Sequence, residues 1–387
     1  MEIICLSTRR IDNPMATIVQ HLMRTVGHRH RVLFVEPPAD PLFLARHRSL
    51  WGRTGPSSTG TRCASAQAGL TPLIPVVLPF GERFPGLQAL NRRIMLWQVR
   101  RTIARAGFKA PVLWVQSPES GWLVGRLGET RVIYYATDEY SASPRYSTPE
   151  AQAAVRAAER ELLRRSDLVL VNSTALVSDK SMMAKRVELL YSGVDVEHFR
   201  RALDPHTVIP EDLARLPKPV IGFLGAVDRY KVDVQLVHYC ATHSPNMTFA
   251  LIGPVGWSGD TTPHDLPQAP NLVYLGRREY HTLPAYLKGC AVAMIPNARN
   301  AYTLPNFPMK LFEYFAAGKP VVATRLPALE PFAELVSLAE TPEAFRLQLL
   351  QALRDNSPTA TEARLAVARQ HSWPACAERV EGLLAAL

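Results

Sequence analysis

Short runs of apolar residues alternate with stretches of helical periodicity along most of the chain. Residues 1–7, 31–35 and 111–115 are runs of this kind, and helical patterns lie between them. Nearly continuous apolar runs of this length are typical of strands that are buried on both faces of a parallel sheet. The alternation of such strands with helices therefore predicts an α/β fold with parallel sheets.

A polar, proline-containing stretch at residues 200–217 interrupts this rhythm, which resumes with the strand pattern of residues 219–225. A chain of 387 residues is long enough to build two hydrophobic cores. We therefore predict two Rossmann-like domains, residues 1–205 and residues 206–370, followed by a terminal helical segment.

Residues 307–317 have the pattern of a buried helix, because Lys310 and Glu313 are their only charged side chains. Pro308 suits the first helical turn and Gly318 suits the helix end. Two interpretations of the charges are open. The side chains lie three positions apart on one face and can form an ion pair. Alternatively, the helix start and the carboxylate can bind an anionic ligand that carries hydroxyl groups.

Two strand patterns of the second domain end in glycine. Gly225 follows the strand pattern of residues 219–224, and Gly253 follows that of residues 248–252. A glycine at the carboxyl end of a parallel strand lets a ligand approach the backbone. The first loop, residues 7–13, has no glycine, so a dinucleotide-binding first half is not expected.

The net charge of +10 is confined to the N-terminal half. Residues 1–205 hold 28 Lys and Arg against 18 Asp and Glu, whereas residues 206–387 hold 16 of each. This asymmetry predicts an anionic partner for the first domain: anionic lipid, nucleic acid or a phosphorylated acceptor. No nucleic-acid motif and no basic-aromatic surface pattern is recognisable, so nucleic acid is not the predicted partner.

Residues 87–109 concentrate this charge. They hold six basic side chains and no acid, and Leu90, Ile94 and Trp97 recur on one side at helical spacing. Two interpretations are open: the three apolar residues pack into the core, or the helix lies on an anionic membrane surface.

The cysteines and the N-terminus indicate a reducing compartment. The five cysteines are scattered without a C-x-x-C pair, so neither a disulfide framework nor a zinc site is expected. The first residues lack the features of a signal peptide, and no apolar run is long enough to span a membrane. We expect a cytoplasmic protein.

Residues 308–322 follow the pattern P-x-K-x-x-E-Y-x-x-x-G-x-P-V-V. This pattern resembles the donor-binding segment of GT-B glycosyltransferases, in particular family-4-like bacterial enzymes. The resemblance implies two Rossmann-like domains with parallel sheets facing an interdomain cleft. It implies that Glu313 holds the nucleotide ribose and that Lys310 and Asn306 lie near the donor phosphate and sugar. Many members carry a glutamate where this chain has Pro305, and this departure leaves the donor sugar open.

The resemblance extends to the loop after Gly225. The family loop commonly reads G-R-x-x-x-x-K, in which the arginine and the lysine grip the diphosphate. Lys231 keeps the lysine position, Ala226 replaces the arginine, and Arg229 is a candidate substitute. Arg277, after a later strand, is a candidate contact to the base. For all three charged residues the alternative is an ordinary solvated side chain.

Asp138 closes a strand of the first domain, near the position where the family has a catalytic or sugar-binding histidine or aspartate. It could accept a proton from an acceptor hydroxyl, or it could be a cap or loop acid. The resemblance also implies that residues 371–387 pack back on the N-terminal domain, and that no metal ion is required.

The expected function is a glycosyltransferase that moves a sugar from a nucleotide diphosphate sugar to a sugar or lipid-linked acceptor in cell-surface polysaccharide synthesis. No cofactor other than the donor substrate is expected, and an anionic membrane surface is a candidate partner. Two alternatives share the fold: a nucleotide-sugar epimerase, and a non-catalytic subunit that binds a nucleotide sugar. The sequence leaves retention or inversion of configuration open.

Overall fold

The structure is a computed structural model that describes residues 1–54, 69–81, 84–354 and 356–387. Within these ranges the strands form two sheets, one of seven strands and one of six. Each sheet lies in one of two compact units of the chain. The predicted α/β fold with two Rossmann-like domains is therefore confirmed. Cys63, one of the predicted unpaired cysteines, lies outside the described residues.

The first sheet has the strand order β3-β2-β1-β4-β5-β6-β7, and every neighbouring pair is parallel. Its strands are β1 (Glu2–Leu6), β2 (Arg31–Val35), β3 (Leu70–Leu73), β4 (Val112–Val115), β5 (Arg131–Ala136), β6 (Leu168–Val171) and β7 (Val187–Leu189). The helices up to β7 are α1 (Ile18–Gly27), α2 (Pro41–Arg46), α3 (Pro85–Ala106), α4 (Pro149–Arg165) and α5 (Thr174–Ser181). The central strands β1, β2, β4, β5 and β6 are buried on both faces after their first residues, as their continuous apolar patterns predict, whereas the edge strands β3 and β7 are partly exposed.

The second sheet has the order β10-β9-β8-β11-β12-β13 and is also parallel throughout. Its strands are β8 (Val220–Leu224), β9 (Thr248–Ile252), β10 (Leu272–Gly276), β11 (Val292–Ile295), β12 (Val321–Thr324) and β13 (Val336–Ala339). The later helices are α6 (Val196–Arg200), α7 (Glu211–Ala214), α8 (Val234–Thr242), α9 (Leu283–Gly289), α10 (Lys310–Ala316), α11 (Pro342–Ala352), α12 (Pro358–Gln370) and α13 (Trp373–Ala385).

The division between the units differs from the predicted boundary at residue 205. The second unit begins at Tyr191, and it also includes residues 173–175. The reason is apolar packing: Phe199 of α6 is fully buried in the same core as Leu213 and Phe312. The prediction followed the polar composition of residues 200–217, which does not reveal this anchor.

The chain ends in the first unit, which includes residues 377–387. There Arg29 lies 3.3 Å from Glu378 and 3.2 Å from Glu381, and the Arg131 guanidinium donates to the backbone oxygen of Leu387. The sequence placed the start of this terminal segment at residue 371, six residues earlier. Among the helices of the described ranges, none has the length and the hydrophobicity that crossing a bilayer requires.

Candidate functional site

Helix α10 is short and is fixed firmly against the second sheet. It begins at Lys310, two residues after Pro308. The backbone before it forms a tighter turn, because the Leu311 N–H donates a hydrogen bond to the Pro308 carbonyl three residues earlier. Gly318 ends it with a φ of +68°. The Tyr314 hydroxyl accepts a 2.8 Å hydrogen bond from the Leu224 N–H, which ties the helix to the carboxyl end of β8.

Lys310 and Glu313 are half-buried on this helix, and no ion pair joins them in the described part of the chain. The Lys310 ammonium lies over the Phe223 ring, 4.9 Å from its centroid. The pKa of Lys310 is lowered to about 8, chiefly by burial. The charge of Glu313 opposes this shift, and the charge of Lys231 adds to it to a smaller extent. Burial raises the pKa of Glu313 to about 7. The two charges therefore act on each other without a contact at ion-pair distance, and the ligand interpretation stays a prediction.

Three neighbouring strands of the second sheet end in glycine at the edge where α10 starts. Gly225 donates its N–H to Ile252, and Gly253 donates to Gly276. Gly253 has a φ of +157°, and a Cβ there would lie 1.9 Å from the Gly225 oxygen. A Cβ at Gly225 would lie 3.3 Å from Cε of Lys310. Only glycines keep this edge open beside the lysine.

Lys231 lies in the loop after β8. Its ammonium is 5.1 Å from the Tyr230 ring centroid and 5.6 Å from that of Tyr302, and the lysine is half-buried. No carboxylate of the described residues lies within ion-pair distance of it. Its charge contributes to lowering the pKa of Lys310. We call Lys231, Lys310 and Glu313 the α10 edge.

The other predicted donor contacts have weaker geometry. Arg229 is exposed, and its guanidinium lies 3.8 Å from Asp265. Arg277 is exposed and lies 3.6 Å from Glu279. Asn306 is half-buried, and its N–H donates to the Thr303 carbonyl. For both arginines these contacts fit the surface interpretation, and all three assignments stay predictions.

The structure adds residues that the sequence reasoning missed. Tyr280 stacks on the His198 ring at 4.4 Å, and the charge of Glu313 helps burial to raise the tyrosine pKa. Asn300 donates to the Tyr230 carbonyl at 2.7 Å and accepts from the N–H groups of Tyr302 and Thr303 at 3.0 Å. It therefore holds the two tyrosines around Lys231. An Asx-turn pattern was the available signal for Asn300.

Asp138 lies in the first unit, two residues beyond β5, and is half-buried. It accepts a 3.2 Å hydrogen bond from the Thr137 hydroxyl. The neighbouring acid, Glu139, caps the turn that follows by accepting from Ser141, and it lies 3.3 Å from the buried Lys180. The cap that the sequence allowed for Asp138 is thus supplied by Glu139, while the catalytic role of Asp138 stays a prediction.

Comparison with known proteins finds similarity to glycosyltransferases. Residues 218–355 match the family model described as "Glycosyl transferases group 1". A curated relative, the putative teichuronic acid biosynthesis glycosyltransferase TuaH of Bacillus subtilis (strain 168), is 28% identical over 286 residues. The matched region covers 70% of this chain and 71% of the relative.

Solved structures agree in fold. Anabaena Alr3699/HepE in complex with UDP and glucose matches with a TM-score of 0.70 at 16% identity, over 100% of both chains. The sucrose-phosphate synthase from Thermosynechococcus elongatus matches with a TM-score of 0.70 at 16% identity, over 99% of this chain and 98% of that one. At this identity the likeness establishes the GT-B fold.

Proposed function

We propose, on the premise that the chain is a GT-B glycosyltransferase of group 1, that it transfers a sugar from a nucleoside diphosphate sugar to an acceptor of cell-surface polysaccharide synthesis. The premise fixes the reaction class. The role in polysaccharide synthesis is supported by the similarity to TuaH, a protein named for teichuronic acid biosynthesis.

The observation that carries the donor assignment is the charge of the α10 edge. Lys310 lies next to a glycine-lined strand end, and the charge of Lys231 contributes to lowering its pKa. Among the described residues no carboxylate lies within ion-pair distance of either ammonium group, although the charge of Glu313 acts on Lys310. Like charges held together are unfavourable unless an anion joins them. A diphosphate bound there relieves the repulsion and accepts hydrogen bonds from both ammonium groups. The lysines would then stabilise the negative charge of the leaving diphosphate.

Glu313 completes the proposed donor site. Its carboxylate is half-buried, and among the described residues no side chain lies within hydrogen-bond or ion-pair distance of it, although the charge of Lys310 acts on it. Ribose hydroxyls can therefore donate to it. We propose UDP as the nucleotide, since Alr3699/HepE is described in complex with UDP and with UDP-glucose. No metal ion is needed in this proposal because the two lysines neutralise the diphosphate. UDP binding should therefore be unchanged by EDTA.

Asp138 is the proposed acceptor-side residue. The acceptor oxygen forms a bond to the anomeric carbon of the sugar, and the bond from that carbon to the diphosphate oxygen breaks. The acceptor proton passes to the Asp138 carboxylate, and the electron pair leaves with the diphosphate. The half-buried position of Asp138 beyond β5 supports this role.

We further propose that the acceptor is lipid-linked and that the protein works in the cytoplasm, as a peripheral protein at the inner face of the membrane. The support is the charge asymmetry of the sequence, since the whole excess of +10 lies in residues 1–205. Anionic lipids attract basic segments of this kind.

A thermal-shift panel tests the donor assignment. UDP, other nucleoside diphosphates and their sugar conjugates are added separately, and a ligand that binds only the folded protein raises the melting temperature. We expect UDP and UDP-sugars to give the largest rise. No rise with any nucleotide would contradict the proposal. An epimerised donor formed without acceptor, or binding with neither hydrolysis nor transfer, would instead favour the two alternative functions.

A further inference from the structure

Helix α3 carries large apolar side chains that are exposed to solvent and are not buried in the core. Leu90 is 44% exposed and Trp97 is 57% exposed. The core side of the helix is formed by Gln98, Val99, Thr102 and Ile103. The interpretation that Leu90, Ile94 and Trp97 pack into the core is therefore wrong for Leu90 and Trp97, whereas Ile94 is half-buried. Leu90 and Trp97, seven positions apart, share the outer face.

The segment before α3 adds to this face. Leu78 is 40% exposed and Phe84 is 60% exposed. The side-chain amide of Asn91 accepts from the Leu78 N–H and donates to the Leu78 carbonyl, both at 2.9 Å. Gln98 pairs in the same way with Val76, at 3.0 and 2.7 Å. Two amides on α3 thus hold residues 76–78 along the helix, so that Leu78 is presented in a fixed position.

Arginines accompany the apolar residues. Helix α3 contains five arginines and no acidic residue. No ion pair within the described ranges involves Arg93 or Arg101, and the Arg101 guanidinium lies 5.4 Å from the Trp97 ring centroid. Arg93 is three positions from Leu90, and Arg101 is four from Trp97, so both flank the apolar residues on the outer face. We call Leu78, Leu90, Arg93, Trp97 and Arg101 the α3 face.

We propose that the α3 face docks on the surface of an anionic lipid bilayer. Aromatic and aliphatic side chains would enter the interface, and the arginines would contact lipid phosphates. Charge complementarity supports this occupant, since the face carries unpaired positive charge. A nucleic acid would satisfy the arginines but would leave Leu78 and Leu90 exposed, so the bilayer fits the whole face better.

The position of the α3 face also suits a lipid-linked acceptor, and here the inference rests on the proposed function. Residues 74–81 follow the carboxyl end of β3, and Asp138 follows the carboxyl end of β5. Because the strands of this sheet are parallel, both lie at the same edge. A bilayer that contacts the α3 face would bring lipid-carried acceptors to the edge that holds Asp138.

Co-sedimentation with vesicles tests the proposal without donor or acceptor. The full-length protein is mixed with phosphatidylcholine vesicles that contain or lack phosphatidylglycerol, at low and high salt. We expect binding to the acidic vesicles at low salt and a strong loss at 1 M salt, where charges are screened beyond about 3 Å. Equal recovery with neutral and acidic vesicles, or no recovery with either, would overturn the proposal.

A charge-matched pair of variants locates the surface. Arg93→Glu/Arg101→Glu should lower partition into acidic vesicles about tenfold or more. The control, Arg156→Glu/Arg160→Glu, makes the same charge change at two exposed positions of α4. It should lower partition by no more than about twofold, through net charge alone. Equal losses in both variants would overturn the assignment to α3.

An apolar pair tests insertion. Leu90→Ser/Trp97→Ser should weaken binding to acidic vesicles, whereas Val208→Ser/Leu347→Ser, at two exposed positions of the second unit, should not. If the glutamate variant of α3 does not fold, Arg93→Gln/Arg101→Gln replaces it. Preferential binding to duplex RNA or DNA over acidic vesicles in a competition assay would also overturn the proposal.

The readout separates this inference from the proposed function. The melting-temperature rise with UDP, measured on the same samples, should be unchanged in all α3 variants, because UDP is assigned to the α10 edge. Vesicle binding that fails while the UDP response persists would refute the α3 docking alone. A missing UDP response in the wild-type protein would refute the donor assignment and leave the vesicle result to stand by itself.

Discussion

Buried charges are handled in opposite ways in two regions of the molecule. In the first unit, the buried Lys180 ammonium lies 3.0 Å from Glu159 and 3.3 Å from Glu139. The Tyr134 hydroxyl donates to Glu159 at 2.7 Å. We call these four residues the Lys180 network. Burial by itself lowers the pKa of Lys180, but the carboxylates more than reverse this effect and raise it above its ordinary value.

At the α10 edge, by contrast, the charged groups are brought together and left without ion-pair partners in the described chain. Burial moves the pKa of Lys310 down to about 8 and that of Glu313 up to about 7, so both groups are closer to neutrality than in water. A folded chain gains no stability from such an arrangement. The comparison teaches that the Lys180 network serves the fold, whereas the α10 edge has the features of a site that a ligand completes.

The largest expected effect concerns two neighbouring acids of the first unit, of which only Glu139 belongs to the Lys180 network. Asp138→Asn should lower turnover about 100-fold or more, because the acceptor loses its general base. UDP binding should persist. Turnover is measured as UDP release from a UDP-sugar in the presence of a bacterial lipid extract.

Glu139→Gln is the matched control, since Glu139 caps a turn and contacts Lys180. This variant should lower the melting temperature and leave turnover close to the wild-type value. Wild-type turnover in Asp138→Asn would remove Asp138 from the mechanism.

The second prediction removes the centre of the Lys180 network. Lys180→Met should cost about 3–5 kcal/mol of the free energy of unfolding of the first unit, because the buried Glu159 and the half-buried Glu139 lose their partner. Urea unfolding followed by circular dichroism measures it. Lys185→Met removes an exposed lysine that lies 3.1 Å from Asp167 and should cost less than about 1 kcal/mol. A similar loss of unfolding free energy in both variants would contradict the structural role assigned to the Lys180 network.

The extent to which sequence anticipates these regions differs for physical reasons. Strands such as β1 were predictable because burial on both faces requires a continuous apolar run. The helix end at Gly318 was predictable because few other residues tolerate its φ of +68°. These features depend on residues that are neighbours in sequence.

Tertiary relations were harder to predict. The proximity of Lys231 to Lys310 joins distant parts of the chain, and only the resemblance to a family suggested it. The absence of an ion pair between Lys310 and Glu313 depends on rotamers that spacing does not fix. On α3, the outward direction of Trp97 was open because apolar residues at helical spacing mark a face without saying what covers it.

The third prediction sharpens the role of Lys231. Lys231→Ala should weaken UDP binding about tenfold to a hundredfold, because a hydrogen bond between charged groups is lost, and should leave uridine binding unchanged. Arg229→Ala should weaken UDP binding less than about threefold, since this exposed arginine lies toward Asp265. Isothermal titration calorimetry gives both affinities. Equal losses for UDP and uridine would refute a phosphate role for Lys231.

The fourth prediction concerns Glu313 as a ribose contact. Glu313→Gln keeps the shape of the side chain but replaces a charged acceptor by a neutral one, so UDP affinity should fall about tenfold. The matched ligand is 2′,3′-dideoxy-UDP, which lacks the ribose hydroxyls and should bind the wild-type and variant proteins alike. An unchanged affinity for UDP in a folded variant would show that the assignment is wrong.

The smallest expected effect is a pH dependence of stability to which the two charged groups of α10 contribute. Since the pKa of Glu313 is raised to about 7, the folded state binds more protons than the unfolded state from about pH 4.5 to 7, and stability falls as pH rises through this window. Since the pKa of Lys310 is lowered to about 8, the folded state binds fewer protons between about pH 8 and 10.5, and stability increases there with rising pH. Glu313→Gln should remove the first slope and Lys310→Met the second, each on the order of 1 kcal/mol. Melting curves at a series of pH values, compared as differences from wild type, measure both slopes. Differences that stay constant with pH would mean that the two charges are solvated like ordinary surface groups, and the contrast with the Lys180 network would then disappear.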